Sequence, residues 1–412
     1  MPSVIAPSSY TVPSLALPAM AAVRQRFDTN RLTDIPSAIA QAFAQPLAAV
    51  LRPGMRVAIT AGSRGIANYA DIMAACVAEL KQRKTQPFIL AAMGSHGGAT
   101  AEGQRQVLES YGITEQTLGC EVVTTTETIQ LGETEHGCVV HVTRAAYEAD
   151  GIILLNRIKP HSILTGDQGS GLLKMAGIGL GNHAGAAAIH RMGLAQHLLP
   201  AARLVLEKAP ICFGIALIEN SLDQLYKVEA LAVDQIESSE RRLLAEARAL
   251  LPTIPFDPID ILIVDLIGKN FSGTGMDPNV IGMHRRIGGV PQRQIQRIVA
   301  LDLSPESHGN ANGIGMADIT TAQLAAKIDW HATYTNALTA DFLWGIKMPI
   351  ACATPREALM LAMQPFDLDT VRAVRVANTA QLEDMWVSAA LLSELERYPN
   401  LERIGALEAM LF

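Results

Sequence analysis

The sequence predicts an α/β protein of two lobes, built on mainly parallel sheets with an active-site cleft between the lobes. Three observations point there. Short β-rich runs alternate with helical ones from Met55 onward, the run Gly151 to Leu155 is apolar throughout, and three prolines, Pro252, Pro255 and Pro258, interrupt the pattern before it resumes. Alternating strands and helices make parallel sheets. An uninterrupted apolar run suits a strand covered on both faces. The 412 residues also exceed the roughly 250 to 300 that one hydrophobic core serves, so two domains follow.

Arg56 to Thr60 reads as a strand, Tyr69 to Arg83 as a helix, Pro87 to Ala92 as a strand, and a helix follows Thr100. The runs Glu121 to Thr125 and Gly137 to Val142 form a pair ahead of Gly151 to Leu155. Ala184 to Lys208 reads as one long helix closed by Pro210, followed by a strand from Ile211 to Ile218. The prolines place the boundary between an N-terminal α/β domain, residues 1–254, and a C-terminal one, residues 255–412. The second domain offers strands at Ile259 to Leu266 and Ile298 to Leu301, and helices at Asp318 to Ile328 and Arg356 to Met363.

Composition narrows the function classes. Hydrophobic residues at 49% and charged residues at 18% supply well-buried cores. The 33 basic and 40 acidic residues leave a net charge of -7, and no Lys/Arg run interleaves with aromatics, which argues against a nucleic-acid surface. The five cysteines lack CxxC spacing and fit free thiols in a reducing compartment. Met1 to Pro18 carries no basic segment followed by an apolar core, and no apolar run is long enough to span a membrane. The expectation is a cytoplasmic protein without a membrane partner, its oligomeric state left open.

Chemistry concentrates in the loops that leave the strands. Ala61-Gly62-Ser63-Arg64-Gly65 is a glycine-flanked turn able to aim backbone N–H groups and a guanidinium at an anion. Gly94-Ser95-His96-Gly97-Gly98 places His96 beside Arg64 if the two strands are neighbours, with two glycines suggesting close approach of a ligand. The segment Asn156 to Lys174 carries His161, three glycines and Lys174, whose apolar neighbours lower the pKa of its amine. His183, His190 and His197 recur at a seven-residue spacing that puts them near one face of a single helix, and His183 and His197 read as structural. Gly179 to Ala184 resembles a dinucleotide fingerprint only superficially, since no strand precedes it directly. In the second domain Lys269 and Arg285 are candidate carboxylate anchors.

Together these motifs resemble the nickel-dependent lactate racemase family, whose members bind a nickel-pincer nucleotide. Gly94-Ser95-His96 with Thr100-Ala101-Glu102 is similar to the family's Gly-Thr-His segment, and Pro160-His161 with the glycine-rich loop to Lys174 is similar to its Pro-His segment. The resemblance implies His96 and His161 as acid/base residues and Lys174 as the covalent anchor of the cofactor. It implies His190 as the nickel ligand, Gly62, Ser63 and Arg64 as further cofactor contacts, and Lys269 and Arg285 as substrate contacts. Cofactor and acid/base residues then fall in the first domain and substrate-side loops in the second, with the cofactor-making enzymes as partners. Two histidines suit inversion of a hydroxylated carbon, which needs a base for the hydroxyl proton on either face. The sequence departs from the family at Ala61, where an aspartate is expected, at Ile281-Gly282 in place of Tyr-Gln, and at Arg285 in place of a lysine. Those departures imply a racemase or epimerase of a 2-hydroxy acid larger or more acidic than lactate. A nicotinamide-dependent dehydrogenase, a hydro-lyase and a non-catalytic sugar-acid binding protein are the competing readings.

Overall fold

A computed structural model describes residues 12, 14–44, 46–162, 164, 166–282, 293–340 and 342–410. Mainly parallel sheets flanked by helices make the chain an α/β protein. Its contacts divide it into two compact units, Asp28–Leu251 and a second that joins Met1–Phe27 to Pro252–Phe412. The sequence places one break near residue 254, whereas the chain also breaks at 27/28. The cause is β1 (Ala19–Gln25), which pairs antiparallel with residues 384–388 and so belongs to the C-terminal sheet. Such distant pairing leaves no local signal.

The Asp28–Leu251 unit contains β2 (Arg56–Ala61), β3 (Gln86–Ala91), β4 (Glu121–Val123), β5 (Thr128–Glu133), β6 (Val139–Thr143), β7 (Gly151–Arg157), β8 (Ile211–Glu219) and β9 (Leu225–Leu231). Six of them form a sheet in the order β4-β3-β2-β7-β8-β9, parallel except for β9. Both runs within 121–142 contain strands, and a further strand lies between them: Glu121–Val123 extends the parallel sheet, and β5 and β6 form a hairpin. The polar run from Thr124 to Thr128 hides the start of β5 from a hydrophobic-pattern reading.

Side-chain alternation sorts the sheet's two faces. Val57, Ile59, Ala61, Ile153 and Leu155 pack against the helices Ile35–Ala44 and Tyr69–Gln82. Ala58, Leu90, Ile152 and Leu154 pack on the other side against Leu172 to Val205 and the helix Ile236–Ala249. With both faces covered, the near-continuous apolar run of β7 is what burial requires.

The expected single helix from Ala184 to Lys208 is two helices, Asn182–Met192 and Leu194–Lys208. Gly193 separates them with φ 105°, a conformation open to glycine that ends the first helix.

In the second unit β10 (Ile259–Ile267), β11 (Ile295–Leu303), β12 (Ile319–Thr321), β13 (Ile350–Cys352), β14 (Ala373–Val376), β15 (Asp384–Ser388) and β16 (Leu401–Arg403) form a sheet with β1 in the order β13-β12-β11-β10-β14-β15-β1-β16. The helix expected from Asp318 begins only at Ala322, because Ile319-Thr320-Thr321 is a buried strand. Its Thr320 and Thr321 hydroxyls donate to the Ala300 and Leu301 carbonyls at 2.8 and 2.7 Å, which stitches it to β11.

Candidate active site

From β2 the chain moves through β3 and β4 on one side, then crosses to β7 and β8 on the other. The strand order therefore reverses between β2 and β7, the position beyond whose carboxyl ends open α/β sheets bind their ligands. Thr60, fully buried one residue before the end of β2, ties the strands together there: its hydroxyl accepts the Leu155 N–H at 2.9 Å. β2 delivers Gly62, Ser63 and Arg64 into this region, and β7 delivers the segment leading to His161.

The turn after β2 is held by groups from distant elements. The Tyr69 hydroxyl accepts the Gly62 N–H at 2.8 Å, and the Tyr111 hydroxyl donates to the Ser63 carbonyl at 3.0 Å. Glu219, at the end of β8, accepts the Ala67 N–H at 2.5 Å and pairs with Arg157. The expected cradle of backbone donors is thus corrected in part, since the Gly62 and Ala67 N–H groups are already bonded within the protein. Ser63 and the solvent-exposed Arg64 are what the turn presents.

His96 follows β3, the neighbour of β2. The Ser63 hydroxyl and His96 Nδ1 share a hydrogen bond, which joins the two loops as the sequence anticipates. Of the two glycines behind His96, Gly98 has open space where a Cβ would stand, and Gly97 serves packing, as does Gly103 opposite it. A Cβ on Gly97 would lie 2.8 Å from the Gln104 nitrogen, and one on Gly103 would lie 1.9 Å from the Gly97 carbonyl oxygen. They let the His96 loop press onto the start of the helix Ala101–Ser110.

After β7 the chain makes an excursion closed at its base, where Lys159 and Ser170 exchange backbone hydrogen bonds of 2.9 and 2.8 Å. Closure at 159 and 170 brings His161 and Lys174 together: Lys174 Nζ lies 2.8 Å from His161 Nε2. The Leu164 N–H donates to His161 Nδ1 at 3.2 Å. Which nitrogen of the Lys174–His161 pair donates follows the imidazole tautomer: the charged amine donates to Nε2, and the free base accepts from an Nε2 hydrogen. Burial, and after it the charge of Arg64, lowers the amine to about 8. A lysine lowered to about 8, near a guanidinium and hydrogen-bonded to an imidazole, holds a larger neutral fraction at pH 7 than an ordinary lysine does.

Lys174 ends the short turn Leu172–Lys174 and leads into a π-helical turn, Met175–Gly179. π-turns are rare and concentrate at functional sites. Gly179 packs its backbone on the end of β3, where a Cβ would lie 2.8 Å from the Ala92 carbonyl oxygen. The glycines that mimic a dinucleotide fingerprint are therefore packing residues. Asn182, 1% exposed, then ties Asn182–Met192 to its surroundings: its Oδ1 accepts from Gln104 Nε2 at 3.1 Å, and its Nδ2 donates to the Thr125 carbonyl at 2.8 Å.

His190 stands half-buried in the last turn of Asn182–Met192. The break at Gly193 corrects the expected one-helix alignment: His197 belongs to the following helix, 5% exposed, with its ring edge-on to His136. His183 is exposed. Among the described residues no group of three or more His, Cys, Asp or Glu side chains could hold a metal ion.

The structure therefore brings Ser63, Arg64, His96, His161 and Lys174 to the carboxyl ends of β2, β3 and β7 in one unit. Lys269 lies in the other unit, where its ammonium donates to the Gly273 carbonyl and to Asn336 Oδ1, closing its own loop. Asp277 caps a short helix by accepting the Asn279 N–H at 2.9 Å. Arg285 lies outside the described residues. Sequence reasoning missed Tyr69, Tyr111, Glu219, Asn182 and Glu240, all of which act on the site through contacts distant in the chain.

Residues 19–198 match the family model of the lactate racemase N-terminal domain. Over that span the chain is similar to lactate racemases. Among solved structures it resembles the lactate racemase apoprotein of Thermoanaerobacterium thermosaccharolyticum, with 13% identity and a TM-score of 0.56 over 87% of this chain and 94% of that one. That likeness shows a shared fold. A protein of Thermotoga maritima aligns over 67% of this chain and 72% of its own, with 14% identity and a TM-score of 0.47. No curated protein matches by sequence. No helix among the described residues is long and apolar enough to cross a membrane.

Proposed function

We propose that this protein is a nickel-pincer-nucleotide-dependent racemase or epimerase of a 2-hydroxy acid. The observation that carries the reading is the contact between Lys174 and His161 at an amine lowered to about 8, since a covalently held cofactor requires an amine that readily gives up its proton. The residues fit the group. Lys174 would hold it covalently, the Ser63 hydroxyl and Arg64 guanidinium would meet its anionic part, and His190 would give nickel an imidazole. Because no trio of protein donors surrounds a metal among the described residues, the other nickel donors would come from the cofactor itself. When bound, the cofactor supplies an acceptor for the hydride of the substrate carbinol.

The chain's own work is proton transfer and placement. His96, oriented at Nδ1 by the Ser63 hydroxyl, and His161, oriented at Nδ1 by the Leu164 N–H, take and return the hydroxyl proton from opposite faces. Assignment of Lys269 and Arg285 to the substrate carboxylate belongs to the same proposal, as does cytoplasmic residence. Ala61, Ile281 and Gly282, where the family has Asp and Tyr-Gln, support an acid other than lactate.

The test is a panel of chiral 2-hydroxy acids deuterated at the carbinol carbon, incubated with protein co-expressed with the cofactor-making enzymes. Inversion with the label retained is expected. Inversion with loss of label to solvent, or no inversion of any acid by nickel-loaded protein, refutes the reading.

A further inference from the structure

We propose that Glu240 is the positioning residue for Lys174, its carboxylate gripping the start of the turn on which the amine rides and so setting the amine against His161. Glu240 rises from the helix Ile236–Ala249 and is 4% exposed. It accepts the Leu173 N–H at 2.9 Å and is bonded by the Leu172 backbone as well. Among the described residues it is met by backbone N–H groups and not by a side-chain cation.

A carboxylate in this setting is costly, because removing its charge from water is repaid only by partners. Burial accordingly pushes the carboxyl up to about 7. An apolar side chain would fill the same space in the core without that cost, so packing alone does not account for a glutamate. Its partners do. Leu172–Lys174 is a three-residue turn, too short to hold its own shape. It is clamped at its start. The Gly171 carbonyl accepts from Asn156 Nδ2 at 2.8 Å and from the Met175 N–H at 2.9 Å, while the first N–H groups of the turn go to Glu240.

Gly171 is shaped for this grip. A Cβ there would lie 2.5 Å from the Glu240 carboxyl carbon, closer than any side chain can come. Lys174 is the next residue after Leu173, so displacement of the turn moves Nζ relative to the ring 2.8 Å away. This role concerns the amine itself, whatever electrophile the site takes, and it stands or falls separately from the proposed reaction.

The experiment uses the full chain without cofactor. Lys174 is acetylated with limiting acetic anhydride across pH 6 to 11, and its extent of labelling relative to exposed Lys84 is read by peptide mass spectrometry. The wild-type midpoint is expected at about 8. Glu240→Gln keeps the shape but replaces one acceptor oxygen with an NH2 that cannot accept an N–H bond, and is expected to raise the midpoint by one unit or more, a tenfold fall in relative labelling at pH 7. Gly171→Ala, which pushes the turn off an unaltered Glu240, is expected to do the same. Circular dichroism and the melting temperature establish that each variant is folded. A purely structural Glu240 would lower the melting temperature and leave the midpoint at about 8 in the folded variant, which overturns the proposal. Should Glu240→Gln not fold, an unchanged midpoint in Gly171→Ala overturns it equally.

Discussion

Replacing Arg64 with glutamine isolates one of the two causes that make Lys174 a nucleophile. The amine falls from 10.5 to about 8, with burial the larger cause and Arg64 the second. At pH 7 an amine of pKa 8 is about one-tenth neutral and one of pKa 10.5 about 0.03%, so the site raises the reactive fraction roughly 300-fold. Since Arg64 contributes the smaller share, Arg64→Gln should raise the midpoint by about one unit or less. Relative labelling at pH 7 should then drop by up to about tenfold and stay well above that of an ordinary lysine. Arg64 is exposed, so the fold should be unaffected. The assay is the pH dependence of Lys174 acetylation, with the variant's melting curve as control. A midpoint that returns the whole way to 10.5 would refute burial as the main cause, and one that does not move would refute the coupling to Arg64.

Other outcomes follow from the same geometry. Between pH 8 and 10.5 the unfolded chain binds the Lys174 proton and the folded chain does not, so stability should rise with pH across that window, the penalty being complete below it. In Lys174→Met that rise should vanish, and stability at pH 7 should exceed wild type by about 1–3 kcal/mol in urea titrations, discounted for the partial exposure of the side chain. Tyr69→Phe strips the Gly62 N–H of its acceptor and should cost about 1–3 kcal/mol, read as a lowered melting temperature. Arg157→Ala leaves Glu219, 6% exposed, without its cation and should cost about 3–5 kcal/mol, whereas a loss under about 1 kcal/mol would show the pair to be dispensable.

Much of the N-terminal unit was legible because it depends on local pattern. The apolar run of β7, the strand-to-helix turns, and the adjacency of the Arg64 and His96 loops all follow from parallel alternation. The lowered Lys174 amine was legible from its apolar neighbours, and the structure adds Arg64 as a second cause. What escaped is held by distant contacts. Nothing in the sequence near Gly62 announces Tyr69 and Tyr111 as its clamps, and nothing near Leu173 announces a carboxylate from residue 240. The helix break had a visible signal in Gly193, which an otherwise convincing 3.6-residue period outweighed. Gly97 beside His96 was misread because a glycine signals close approach without saying what approaches, and here it is the protein's own backbone.

The most direct test of the central claim is the mass of the Lys174 peptide from protein co-expressed with the enzymes that make the nickel-pincer nucleotide. An adduct confined to Lys174, with nickel bound in step with it and both absent in Lys174→Ala, is the predicted result. Stoichiometric nickel and full racemisation in Lys174→Ala, with no adduct on the wild-type lysine, would contradict it.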